Sequence, residues 1–207
     1  MKFLIMFPNG ACGNLVAGII FCSVFDKNIK LHNCINKNGS LHFADCPWAR
    51  INDADPIVIN NLLDQHSILI THNHAMDQVF DWQDTVIIKI VIGSDLSSSI
   101  ASKLSIGKNL HGTVEWLYHQ STKTTDFSTF QTDPTVRNNA ISAIEENINL
   151  FKNRHNNQCV LFDDIWENPN RFLQTVSTLI GAPISENAKL LLENYREINA
   201  KQYMIKI

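Results

Sequence analysis

The sequence lacks the features that mark several common classes of protein. Its 207 residues contain only five cysteines, an odd number at irregular spacing, which does not suit the disulfide framework of a small secreted protein. Positive charge is also scarce, because 17 Lys and Arg stand against 20 Asp and Glu, and a net charge of −3 argues against a basic nucleic-acid-binding protein. We therefore expect one globular domain spanning residues 1–207, with free thiols and no nucleic-acid partner.

Long apolar runs are missing as well. Crossing a bilayer takes roughly 18 consecutive apolar residues, but the first apolar stretch is interrupted by Pro8 and Asn14, and a later one by Lys89. Gly10-Ala11-Cys12 is similar to a lipoprotein cleavage site, but the apolar run before it is too short for the core of a signal peptide. The sequence therefore predicts a cytoplasmic protein with no membrane partner.

Strand-like and helix-like segments alternate along the chain. Short apolar runs predict strands at Lys2–Phe7, Ser67–Thr71, Val86–Ile92 and Gln158–Phe162. Apolar residues at helical spacing predict helices at 14–25, 56–65, 96–106, 134–151 and 169–180, and one more from Ser185 onward. Residues 26–55 and 107–134 look mostly like loop, with room for one short strand in the first. This alternation predicts an α/β fold with a mostly parallel sheet, helices on both faces, and ligands at the carboxyl ends of the strands.

The loop after the first predicted strand has the form of a phosphate-binding loop. It reads FPNGACGN, and in such a loop backbone N–H groups and a helix N-terminus face the anion. It is not a Walker A loop, which requires a lysine where Asn14 stands, nor a dinucleotide-binding fingerprint. Asn14 is also the expected cap of the helix that follows. A tight turn that needs glycine at positive φ is the alternative explanation. The candidate phosphate contacts are Gly10, Ala11, Cys12, Gly13 and Asn14.

His72 ends the second predicted strand and therefore belongs to the same edge of the sheet as the first loop. A histidine at such an edge can act as a general base. The alternative is an imidazole that is satisfied by a backbone carbonyl. His74, two residues further on, is a second candidate for the base.

A metal site is not predicted, although one segment has a suitable composition. Imidazole and thiolate groups together suit zinc, but the spacing in this segment matches no common zinc pattern. A polar loop with two buried thiols is the simpler interpretation. The residues concerned are His32, Cys34, His42 and Cys46.

The C-terminal part of the chain resembles the sulfotransferase family. Residues 160–173 read VLFDDIWENPNRFL and are followed by Leu179-Ile180-Gly181, which is similar to the family's strand, acidic pair, Asn-Pro, helix and Leu-x-Gly. Thr71-His72 resembles the family's Lys-Thr-His. Residues 91–99 resemble Arg-x-Pro-x-Asp-x-x-x-Ser, with Asp95 and Ser99 in place. The resemblance covers nearly the whole chain, more weakly over 26–66 and 107–135.

This resemblance implies a P-loop-like sulfotransferase fold and a reaction. A sulfuryl group would pass from 3′-phosphoadenosine 5′-phosphosulfate (PAPS) to a hydroxyl or amine of a small-molecule or carbohydrate acceptor. The resemblance implies that His72 of this chain is the catalytic base, that the loop from Gly10 to Asn14 binds the donor, and that Ser99 holds the 3′-phosphate of the donor. The sequence names neither the acceptor nor the oligomeric state.

The chain departs from the family at three positions where cations bind the donor. They are occupied here by Ala11, Ile70 and Val91, and each missing charge-assisted contact forgoes about 1.5–3 kcal/mol. Lys89 lies two residues before Val91 and so on the same face of its strand, which makes it the predicted substitute. Further candidates are Lys103, Lys108 and Arg137. The alternative function is a non-catalytic binding or accessory protein that has kept the fold and lost the donor site.

Overall fold

The computed structural model describes residues 1–8, 11–25, 47–52, 54–93, 132–153 and 159–199. The strands are β1 Lys2–Met6, β2 Trp48–Arg50, β3 Ile68–Thr71, β4 Thr85–Val91 and β5 Cys159–Leu161. The helices are α1 Gly13–Ile20, α2 Pro56–Gln65, α3 Pro134–Asn153, α4 Asp164–Glu167, α5 Pro169–Ile180 and α6 Glu186–Asn199. A π-helical turn, Phe21–Phe25, extends α1, and a 3-10 turn, Met76–Gln78, lies between β3 and β4.

The strands form one parallel sheet in the order β2-β3-β1-β4-β5. The chain runs from β1 to β2 and β3 on one side, then crosses to β4 and β5 on the other, so the order reverses between β1 and β4. In open α/β sheets such a reversal opens a crevice at the carboxyl ends of the strands. The α/β class and the parallel sheet predicted from the sequence are therefore confirmed.

Side chains alternate between the two faces of the sheet, and each face carries its own apolar cluster. Phe3, Ile5 and Phe7 of the β1 segment pack in a cluster with residues of α1, α5 and α6, which we call the α1 face. Leu4 and Met6 pack in a cluster with residues of α2, which we call the α2 face. Helices therefore cover both faces, as alternating strand and helix segments predict.

Local signals decide where α2 and α5 begin and end. Asp55 Oδ1 accepts the N–H of Ile57 at 2.8 Å, and proline occupies the first position of α2. Asn168 accepts the N–H of Arg171 at 3.1 Å at the start of α5, which ends at Gly181 with φ of 64°. The predicted bounds of both helices are confirmed. The sequence was sufficient here because caps, proline and glycine act within one helical turn.

Other predictions are shifted or lie outside the described residues. Most ends of the predicted strands are displaced by one residue in the structure. The strand β2 is the short strand for which the sequence left room. The short helix α4 was not predicted, because a single turn is too short to show a helical period in the sequence. The helix expected over 96–106 falls outside the described ranges. Within those ranges, no helix is both long enough and apolar enough to cross a bilayer.

Candidate functional site

The loop after β1 places backbone donors at the start of α1. Cys12 occupies the N-cap position with φ of 58°, and its carbonyl accepts the N–H of Leu15 at 2.9 Å. The N–H groups of Gly13 and Asn14 find no acceptor within the described part of the chain. Two N–H donors at a helix N-terminus suit an oxyanion, and phosphate binding by this loop stays a prediction. Gly10, the first residue of the predicted contact set, lies outside the described residues.

Two side-chain contacts hold this loop in place. The Cys12 Sγ and the Tyr195 hydroxyl of α6 are 2.8 Å apart in a buried hydrogen bond. The Asn14 Oδ1 accepts the indole N–H of Trp48 in β2 at 3.1 Å. The prediction that Asn14 caps the helix is therefore wrong: Asn14 already lies in the first turn of α1, and its amide is bonded to β2.

Gly13 is required for close packing. A Cβ at this position would overlap the ring of Phe7, which packs directly against the backbone there. Among the described residues of the loop, the positive φ belongs to Cys12 and not to this glycine. A glycine is therefore needed at position 13 because an aromatic ring packs closely against the backbone, and not because a tight turn requires a positive φ there.

His72 follows β3 and lies against Phe7 at the same edge of the sheet. The two ring centroids are 4.3 Å apart, and His72 Nδ1 is 3.2 Å from the Phe7 carbonyl oxygen. Because a carbonyl only accepts, Nδ1 carries the proton and Nε2 carries the lone pair. The two explanations of His72 are therefore compatible, since one nitrogen bonds a backbone carbonyl and the other can accept a proton.

The surroundings of His72 keep its ring neutral. The pKa of His72 is lowered from 6.5 to about 4, chiefly because the ring is buried and also because the nearby Arg50 guanidinium repels the charged form, while the hydrogen bond to Phe7 acts in the opposite direction. The ring is therefore in the unprotonated form at neutral pH, which is the form that a general base needs. His74, the second candidate, instead makes an edge contact with the ring of Phe151 at 6.0 Å.

Arg50, a residue that the sequence analysis missed, ends β2 at this edge. It pairs in register with Ile70, two residues before His72. Trp48 and Ile70 both belong to the α1 face, and alternation along the strands places Arg50 and His72 on that face too. A strand of three residues is too short to show a period, so no sequence signal separated Arg50 from the surrounding loop.

Lys89 lies on the other face of the sheet. It pairs in register with Met6, a residue of the α2 face, and its side chain is buried. Its ammonium donates to Asp77 Oδ2 at 2.6 Å, so a carboxylate balances its charge. The structure therefore does not bring Lys89 to the loop that precedes α1, and its role in donor binding stays a prediction.

The three positions where the resembled family has cations are interior positions in this chain. Ala11, Ile70 and Val91 are each 2% exposed or less, which explains why apolar residues occupy them. The remaining candidate donor contacts, Ser99, Lys103, Lys108 and Arg137, lie outside the described side chains, as does the segment with His32, Cys34, His42 and Cys46. In the described ranges, no three His, Cys, Asp or Glu side chains are grouped so as to hold a metal ion.

The acidic pair of the C-terminal motif has structural partners. Asp163 Oδ2 accepts the N–H of Gly93 at 2.6 Å and so ties the end of β4 to the segment after β5. Asp164 is buried and accepts two hydrogen bonds from the guanidinium of Arg171, one of them from Nε at 2.7 Å. These contacts hold the carboxyl edge together at β4 and β5. They give neither carboxylate a role in chemistry.

Comparison with known proteins identifies no relative: no family model, no curated protein and no solved structure matches this chain.

Proposed function

We propose that this chain is a sulfotransferase that moves a sulfuryl group from PAPS to a hydroxyl or amine of a small-molecule or carbohydrate acceptor. The observation that carries the proposal is the neutral imidazole of His72 beside the loop that precedes α1. Both lie at the carboxyl edge, next to the point where the strand order reverses. The motif resemblance over residues 71–72, 91–99 and 160–181 supplies the reaction class.

The loop fits a phosphate-bearing donor through its backbone. The N–H groups of Gly13 and Asn14 would hold a phosphate oxygen, and the dipole of α1 favours negative charge at its N-terminus. The bound donor would supply the activated sulfuryl group. The hydrogen bond between Cys12 and Tyr195 would keep these donors in position.

His72 would remove the proton of the acceptor. Its Nε2 carries the lone pair, and the hydrogen bond from Nδ1 to the Phe7 carbonyl fixes the ring in this tautomer. The acceptor proton would pass to Nε2, which increases the nucleophilicity of the acceptor oxygen or nitrogen. The edge contact with the Phe7 ring limits rotation of the imidazole and so preserves its orientation.

A non-catalytic binding or accessory protein is the second candidate. Lys89 is neutralised by Asp77 on the opposite face, and Ala11, Ile70 and Val91 contribute no charge. A donor site with fewer cations binds a polyanion more weakly. Affinity for the nucleotide therefore separates the two candidates.

Calorimetric titration with 3′-phosphoadenosine 5′-phosphate, the desulfated donor, tests the proposal. We expect micromolar binding that weakens as salt rises, because phosphate contacts are screened. Adenosine is the matched control, since it keeps the base and ribose and lacks both phosphates. If the nucleotide does not bind up to millimolar concentration, the proposal is overturned and a non-catalytic binding or accessory protein is the remaining candidate.

A further inference from the structure

Several cations of the described chain already have carboxylate partners. Lys89 pairs with Asp77, Arg171 with Asp164 and Lys189 with Glu186. Arg50 differs from these residues, because its side chain is exposed and makes no hydrogen bond or ion pair with any residue that the structure describes. A guanidinium in this state has its hydrogen-bonding groups available for a ligand.

The position of Arg50 relates it to His72. Arg50 ends β2 and His72 directly follows β3, both on the α1 face, and neighbouring strands lie about 4.8 Å apart. The guanidinium is close enough to lower the pKa of His72 by repulsion. An anion bound to Arg50 would therefore lie next to the imidazole.

The strand order indicates whether this anion belongs to the sulfuryl donor or to the acceptor. Along the carboxyl edge, β2 comes first, then β3 with His72, then β1 with the loop, and then β4 across the crevice. A donor on the loop lies on the β1 side of His72, whereas Arg50 lies on the β2 side. The group that Arg50 meets is therefore part of the acceptor.

We propose that Arg50 binds an anionic group of the acceptor, so that the hydroxyl or amine compound that is sulfated also carries a carboxylate or a sulfate. This inference rests on the proposed function. A guanidinium binds both groups through two parallel hydrogen bonds. The acceptor's charge also offsets the repulsion between Arg50 and a protonated His72, so an anionic acceptor makes the base stronger while a neutral one leaves it weak.

The test is an NMR titration of the full chain with glucuronate and glucose 6-sulfate, and with glucose as the neutral counterpart. The variants are Arg50→Gln and a matched control, Lys2→Gln, which removes one positive charge at the opposite edge of the sheet. We expect Arg50→Gln to bind the two anionic sugars about tenfold more weakly than wild type, because a charge-assisted pair is lost. We expect Lys2→Gln to bind them like wild type, and glucose to show no difference among the three proteins.

A second measurement separates the acceptor from the donor. Arg50→Gln is expected to keep its affinity for 3′-phosphoadenosine 5′-phosphate and, because Arg50 is exposed, its thermal stability. The inference is overturned if wild type binds neither anionic sugar, if Arg50→Gln binds them as tightly, or if that variant loses affinity for the nucleotide alone. Failure of wild type to bind the nucleotide, with anionic-sugar binding still dependent on Arg50, would overturn the proposed function and leave the anion site in place.

Discussion

At His72, the carbonyl of Phe7 decides which ring nitrogen carries the proton. Nδ1 donates to that carbonyl, and Nε2 is left with the lone pair that a base requires. Residue type and position at a strand end were evident from the sequence. The identity of the partner was not, because Phe7 lies 65 residues away and reaches His72 only through pairing of β1 with β3.

Replacing His72 with asparagine should abolish most transfer activity. The amide of His72→Asn can still donate to the Phe7 carbonyl, but it supplies no base, so we expect kcat to fall by about 10²- to 10⁴-fold. Transfer of labelled sulfate from the donor to a panel of hydroxyl and amine acceptors measures this loss. His66→Gln, at the amino end of β3, and His74→Gln serve as controls. Full activity in His72→Asn would exclude this residue as the base.

His72 should also make stability depend on pH. The folded pKa of about 4 lies below the ordinary value of 6.5, so between these pH values the unfolded chain binds a proton that the folded chain does not. Stability is therefore unaffected above pH 6.5, falls as pH drops from 6.5 to 4, and levels off below 4, with a total loss of up to about 3 kcal/mol from this group. Urea unfolding of wild type and His72→Asn at pH 7 and 4.5 should show a smaller loss for the variant. Parallel losses would contradict the lowered pKa.

The helices show where local sequence is sufficient. For α2 and α5, an Asx cap, a proline at the first position and, for α5, a terminal glycine lie within one turn of the helix end, so the predicted bounds are correct. For α1 the prediction started the helix near Asn14, but Trp48 binds that side chain and Cys12 occupies the cap position. A local rule failed there because a distant strand competed for the same amide.

The cap of α5 gives an element-scale prediction. Asn168→Ala removes the acceptor of the Arg171 N–H, and we expect it to lower the free energy of unfolding by about 1 kcal/mol. Asn170→Ala is the matched control, since it makes the same change two residues further on at an exposed position inside the helix. Urea unfolding of both variants checks the difference. Equal stability of the two would show that the cap bond contributes nothing.

For the whole molecule, the ion pair between the buried Lys89 and the partly buried Asp77 joins β4 to the 3-10 turn before it. Asp77→Asn removes the carboxylate that balances a buried ammonium, and we expect a loss of about 3 kcal/mol or more. The double variant Lys89→Met with Asp77→Leu should regain most of this stability, because no buried charge remains. Asp81→Asn, at an exposed position, is the control. Urea unfolding measures all three, and a double variant no more stable than Asp77→Asn would contradict the account.

The sequence by itself determined the α/β class, the bounds of α2 and α5, the loop before α1 and the place of His72 at a strand end. These depend on residue period, caps and turns, all of which act over a few neighbouring residues. Only the tertiary structure decided that Arg50 joins His72 on the α1 face while Lys89 is buried on the α2 face. Strand order and register set which face a residue occupies relative to another strand, and both arise from contacts between segments far apart in the chain.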